Sequence, residues 1–176
     1  MRNLSDQALD EPYAQEYCCS VIVNGKFLAN NPEKTAAATR AMLKGAKWVE
    51  TNPAAAARLS VEKGYLGSYP ELNTVAISKL RYIPSVSGAE KAVNSAAAEM
   101  KLAGMLTAQT DVPALAKKAF VNFEGVTDEW IEKLEVPTLA GGQIPPDQHL
   151  RLAAEIAAMS EPFASATCCA PGKKVQ

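Results

Sequence analysis

Long apolar runs are missing from this sequence: no window approaches the roughly 18 apolar residues that a membrane-crossing helix needs. Aromatic residues are scarce at 6%, although hydrophobic residues reach 48%. Alanine supplies much of the difference, which suits closely packed helices better than a β-sandwich built from branched and aromatic side chains. An excess of one charge is missing too. Eighteen basic residues meet 19 acidic ones for a net charge of −1, which removes the basic field that nucleic-acid binding requires. The opening stretch "MRNLSDQALDEPYAQE" has no apolar h-region of a secretory signal. It is polar and turn-rich, and runs straight into a strand-like segment, so the chain reads as a fragment.

Catalytic equipment is equally thin. The single histidine, His149, stands in the first turn of a helix, with no Cys, Ser or acid at a recognisable spacing. No G-x-S-x-G, H-E-x-x-H, P-loop or G-x-G-x-x-G occurs. "AGGQIPP" (140–146) offers two glycine amides to an anion, but without a Lys-Ser/Thr or a preceding strand it reads as a turn. No catalytic residue, cofactor or resident metal is expected.

What is present is a series of helix signals. "CCSVIVNG" (18–25) is the best strand candidate, a branched run closed by Asn24–Gly25. In "NNPEK", Asn31 is read as N-cap and Pro32 as first helical residue. That helix is expected to run to Thr51, with Ala38, Met42, Ala46 and Val49 as its apolar face and Arg40, Lys44 and Lys47 as a solvated basic ridge. Asn52 and Pro53 repeat the punctuation, and the next helix runs to Gly64. Further helices are expected from Pro70 to about Arg81, along a stripe of Ala89, Val93, Ala96, Met100 and Ala103 closed by Gly104, from Asp111 to Ala119, and after Thr127 around Trp130. A last one is expected in "PPDQHLRLAAEIAAM". The fold class is thus mostly α with one or two strands. Residues 1–25 form a strand region, 26–158 a helical part and 159–176 an irregular tail. A lone strand needs backbone partners from elsewhere.

The four cysteines come as two doublets, Cys18–Cys19 and Cys168–Cys169. Neighbours in sequence do not easily bond each other, and three readings stay open. A metal site is disfavoured because structural zinc ligands are spaced C-x2–4-C. A cross-link between the doublets would close a loop of about 150 residues, stabilising by about 4–5 kcal/mol in an oxidising compartment. Simple burial as small, soft side chains is the third.

"NGKFLANNPEKTAAATRAMLKGAKWVETNPAAAARLSVEKGYL", with "LRYIPSVSGAEKAV" and "DVPALAKKAFVNFEGVTDEWIEKL" after it, resembles solute-binding proteins of ABC importers. The likeness is to the nitrate/sulfonate/bicarbonate and taurine class. It covers about residues 13–135 and is sharpest from Phe27 to Pro53. It implies the C-terminal portion of the α/β type II periplasmic-binding fold, with residues 18–25 as the strand that crosses between lobes and Cys18 or Cys19 at the ligand cleft. It also implies a small anion as ligand, an ABC permease as partner, a periplasmic location for a whole member, and a first lobe that these residues do not supply. Two alternatives stand beside it. Thiamine-pyrimidine synthases of the same superfamily carry a cysteine-rich run before the corresponding helix, which would put these cysteines near iron. A helical interaction module completed by a partner chain is the other.

Overall fold

The computed structural model describes residues 9–11, 13–17, 19–67 and 69–143. Among them are one 3-10 turn, Tyr13–Gln15, seven α-helices and no strand. The helices are α1 (Gly25–Asn30), α2 (Pro32–Thr51), α3 (Pro53–Glu62), α4 (Pro70–Ser78), α5 (Val86–Leu102), α6 (Val112–Ala119) and α7 (Asp128–Glu132). The mostly helical expectation holds. The helix foreseen in 145–159 and the tail 159–176 lie outside the described residues.

The strand expected at 18–25 is not formed among the described residues. Residues 19–24 have no regular structure, and Asn24, instead of closing a strand, is the N-cap of α1. Its Oδ1 accepts from Lys26 N at 3.0 Å and Phe27 N at 3.2 Å, satisfying two of the donors that a helix start leaves open. With no neighbouring strand among the described residues, a branched run has nowhere to place its backbone hydrogen bonds, and regular structure begins only at Asn24, whose side chain caps α1.

Proline sets the next two boundaries. Pro32 and Pro53 open α2 and α3, and a single asparagine separates each from the helix before it. Asn31 (φ −141°, ψ 56°) and Asn52 (φ −132°, ψ 56°) are turned out of the helical region, as the clash with a following proline ring demands. Neither side chain caps the helix it precedes. Each amide instead donates backward to the carbonyl four residues earlier, Phe27 O at 3.4 Å and Trp48 O at 3.2 Å. Asn31 and Asn52 thus hold the N-cap positions as expected, while their side chains finish the preceding helices instead of capping the ones that follow.

Beyond Pro53 the helices pair into two hairpins, α3 with α4 and α5 with α6. Gly104 ends α5 with φ 73°. Its N–H meets Lys101 O at 3.1 Å, and Met105 N meets Met100 O at 2.8 Å, the doubly bonded termination that favours glycine in the left-handed region. Asp111 caps α6 through Ala114 N, and Thr127 caps α7 through Trp130 N, as expected.

Both expected apolar stripes hold at one end and turn outward at the other: Ala46 and Val49 of α2 and Ala89 and Val93 of α5 are half-buried. In α2 the buried residues are Thr35 and Ala36, while Ala38 and Met42 face solvent. In α5 Ala97 is buried, while Ala96, Met100 and Ala103 are exposed. Among the described residues the core is made of small side chains: seven alanines, with Val126 and Ile131 as the larger members. Large apolar side chains remain outside, among them Ile22 (90% exposed), Leu102 (88%) and Tyr65 (79%).

Candidate functional site

Of the residues expected at a ligand site, Cys19 is exposed and sits at the start of the extended segment. Cys18, Cys168, Cys169 and His149 lie outside the described residues. Beside Cys19, no hydrogen bond reaches the backbone of Ser20, Val21, Ile22 or Val23 among the described residues. Just before this segment, Tyr17 donates its hydroxyl to Ile83 O at 3.1 Å. Its ring lies against Gly88 so closely that a Cβ there would come within 2.5 Å of it. Tyr17 thus ties the entry of the chain to the start of α5.

The α2–α3 junction is the most highly organised polar site. Asn52 is fully buried. Its Nδ2 donates to Pro137 O at 2.9 Å as well as to Trp48 O, and its Oδ1 accepts from Leu139 N at 2.8 Å. The segment from Pro137 to Gln143 is thereby strapped across the junction. Gly142 O accepts from Ala54 N at 2.8 Å and Ala55 N at 3.3 Å, so the strap caps α3 with its own carbonyl. Arg58 Nη2 bonds Gly141 O at 2.9 Å, and Gln143 Nε2 bonds Thr51 O at 3.4 Å. A Cβ on Gly142 would stand 2.7 Å from Asn52 Oδ1, which is why glycine occupies the position. Gly142 N is bound to Leu139 O at 2.9 Å, so the double glycine is a turn, as expected, and that amide is not offered to an anion.

The basic ridge of α2 is not wholly solvated. Lys47 Nζ donates to Ile131 O at 2.7 Å and Glu132 O at 2.8 Å, placing its charge where the end of α7 is most negative. This corrects the expected surface role, since an ammonium on a four-carbon stem reaches carbonyls that its own helix cannot. Asp128 performs the matching task for α5. Its Oδ1 accepts from Ser85 Oγ at 3.0 Å and Val86 N at 2.6 Å, and its Oδ2 from Ser87 N at 3.2 Å. Hydrogen bonding from the Ser87 side chain, with the bonds from Val86, Ser87 and Ser85, outweighs partial desolvation and holds the Asp128 carboxyl below its ordinary pKa.

An open cleft of about 200 Å³ lies beside the strap, where α2 and α4 end. Glu50 and Tyr82 line it, and Glu50 Oε2 accepts from Tyr82 N at 2.5 Å. Gln143 forms part of its wall. Asn52, Asp128 and this cleft were missed from sequence. The signal for Asn52 was its isolation between two alanine-rich helices; "SVSG" at a helix start hinted at the serine end of the Asp128 cap.

Among the described residues no group of three or more His, Cys, Asp or Glu side chains is placed to hold a metal ion. No helix among them is long and apolar enough to cross a membrane. Comparison with protein-family models, with curated proteins and with solved structures found no match to this chain.

Proposed function

We propose that this chain provides the second-lobe helices of a solute-binding protein serving an ABC importer, holding a small anion or organic sulfonate such as nitrate, bicarbonate or taurine. The fold is then the C-terminal portion of the type II periplasmic-binding architecture. Cys19, with Cys18, borders the cleft, and a partner lobe closes over the ligand. The reading is one of binding without catalysis, in the periplasm, with the permease as downstream partner. Its strongest support is the segment Ser20–Val23. Three branched apolar residues stand exposed there with unbonded backbone, directly before the helix start whose sequence carries the resemblance. Apolar side chains on successive positions fit a strand covered on both faces, as in α/β lobes. An alanine-filled core that leaves its larger apolar side chains outside fits a body completed by another.

The test is a fusion that places the first lobe of a protein of this class before Tyr13, melted with nitrate, bicarbonate, taurine or an alkanesulfonate. The fusion should be more stable than the 176-residue chain. One anion, at about 100 times its dissociation constant, should add about 2.7 kcal/mol, which is a rise of several degrees. A fusion no more stable than the chain refutes the lobe pairing. A cooperative melt that none of the four ligands moves refutes the ligand class.

A further inference from the structure

The cleft at the ends of α2 and α4 has no part in that anion-binding reading, and its chemistry is of the opposite sign. We propose that it is a site for an organic ammonium group, either a small primary amine or the side chain of a lysine.

The argument starts from the hydrogen bonds that α2 cannot make. Val49, Glu50 and Thr51 form its last turn and line the cleft. The N–H that would serve Val49 O belongs to position 53, which is proline and has none. The following two, Ala54 N–H and Ala55 N–H, are turned away to Gly142 O. Among the described residues the carbonyls of Val49 and Glu50 therefore receive no backbone donor. Ile77 and Ser78 bring the end of α4 to the same cleft. Two helix C-termini thus contribute partial negative charge, which favours a cation.

Glu50 adds a full charge beside them. Its Oε2 is fixed by Tyr82 N, and its other oxygen makes no hydrogen bond among the described residues. The rest of the lining includes Val49, Pro53, Ile77 and Leu80, so an alkyl stem meets apolar walls. Dehydrating a bare metal ion would need more oxygen ligands than one carboxylate and loosely placed carbonyls supply. An ammonium carries three donors, matched to acceptors of this kind. The strap completes the wall through Gln143, so the Asn52 latch also holds the cleft in shape.

The experiment is a titration of the full chain, labelled with nitrogen-15, with n-butylammonium chloride, and with n-butanol at matched ionic strength. The ammonium should give saturable amide shifts confined to residues near 49–54 and 77–82, and butanol should give none. Glu50→Gln keeps an oxygen for Tyr82 N–H and should weaken binding by about fivefold. Nα-acetyl-lysine methylamide separates the sources: tighter binding than butylammonium assigns the site to a lysine side chain, weaker binding to a free amine. No saturable shift from either ammonium, equal shifts from butanol, or unchanged affinity in Glu50→Gln would overturn the proposal. Taurine carries an ammonium of its own, so independence rests on nitrate, bicarbonate and the alkanesulfonates: these share no group with the probes used here, and with them the two readings fail independently.

Discussion

Replacing Asn52 by alanine should cost more stability than any substitution on the alanine faces of the helices. The amide is fully buried and makes three hydrogen bonds, two of them to a segment 85 and 87 positions away in sequence. Asn52→Ala removes all three and leaves Pro137 O and Leu139 N–H facing the gap. A hydrogen bond contributes about 0.5–1.5 kcal/mol net, and an abandoned buried group costs about 1–3 kcal/mol. Leu139 is 43% exposed, so water takes over part of what the amide gave up, and the lower values apply. About 1 kcal/mol for each bond gives a loss of about 3 kcal/mol, or roughly 6–12 °C in melting midpoint for a chain of this size.

Urea unfolding of the two proteins measures that loss directly, and hydrogen exchange shows where it arises. The Ala54 and Ala55 amides bond Gly142 O, so they should exchange faster in Asn52→Ala than amides in the middle of α5. Gly142→Ala lifts the strap from the other side, because its Cβ would meet Asn52 Oδ1 at 2.7 Å and Leu139 O at 3.0 Å. If the two residues form one latch, the double variant loses about as much as the worse single variant, since contacting sites are not additive. An Asn52→Ala loss within about 0.5 kcal/mol of zero, the range of ordinary surface changes, would refute the latch. So would strict additivity with Gly142→Ala.

Lys47→Met should destabilise by roughly 1 kcal/mol in the same assay, because it removes both donors to the end of α7; a neutral result would return Lys47 to the solvated ridge. Asp128→Ala should cost about 1 kcal/mol at pH 7, a capping loss moderated by the solvent around the carboxylate. Its folded pKa is depressed, so its contribution is present above the unfolded value of about 3.9 and disappears as pH falls through the lower folded one. Wild type and Asp128→Ala should therefore differ in urea midpoint at pH 7 and converge well below pH 4, and a gap independent of pH refutes the ionic cap.

The sequence announced the helices through their ends. Pro32, Pro53, Pro70, Asp111, Thr127 and Gly104 each exclude or satisfy backbone groups locally, so their effect is legible without knowing what lies nearby. Which face of a helix turns inward was legible only in part: Ala46, Val49, Ala89 and Val93 are half-buried, while Ala38, Met42, Ala96 and Met100 are exposed. In α2 and α5 alanine occurs on nearly every side, and a periodicity made of one small residue carries little directional information. The strand at 18–25 failed for a related reason. Branched composition expresses fitness for a sheet, and only the presence of a second strand turns that fitness into structure. Asn52 shows the same limit from the polar side. Its helix-breaking role followed from the next residue, while its bonds to Pro137 and Leu139 depend on a chain reversal that no local pattern encodes.

Small-residue packing also explains why polar junctions carry so much of this fold. Burying an alanine methyl gains a fraction of what a leucine or phenylalanine side chain gains, about 0.8 kcal/mol per methylene-sized group against about 1.5–3 kcal/mol. Alanine faces let helix backbones approach closely, and α3 packs against α4 with Ala54, Ala55, Ala56 and Ala57 as its buried residues. The orientation of one hairpin against its neighbours then rests on directional bonds: Asn52 to the strap, Lys47 to the end of α7, Asp128 to the start of α5, and Tyr17 to Ile83. Those four polar links define geometry while releasing little apolar surface from water. The larger apolar side chains, Ile22, Tyr65, Tyr69, Leu102 and Met105, point the other way, into solvent. Among the described residues the alanine core thus buries little large apolar surface, and a surface that covers these side chains would add the hydrophobic stabilisation that this core does not.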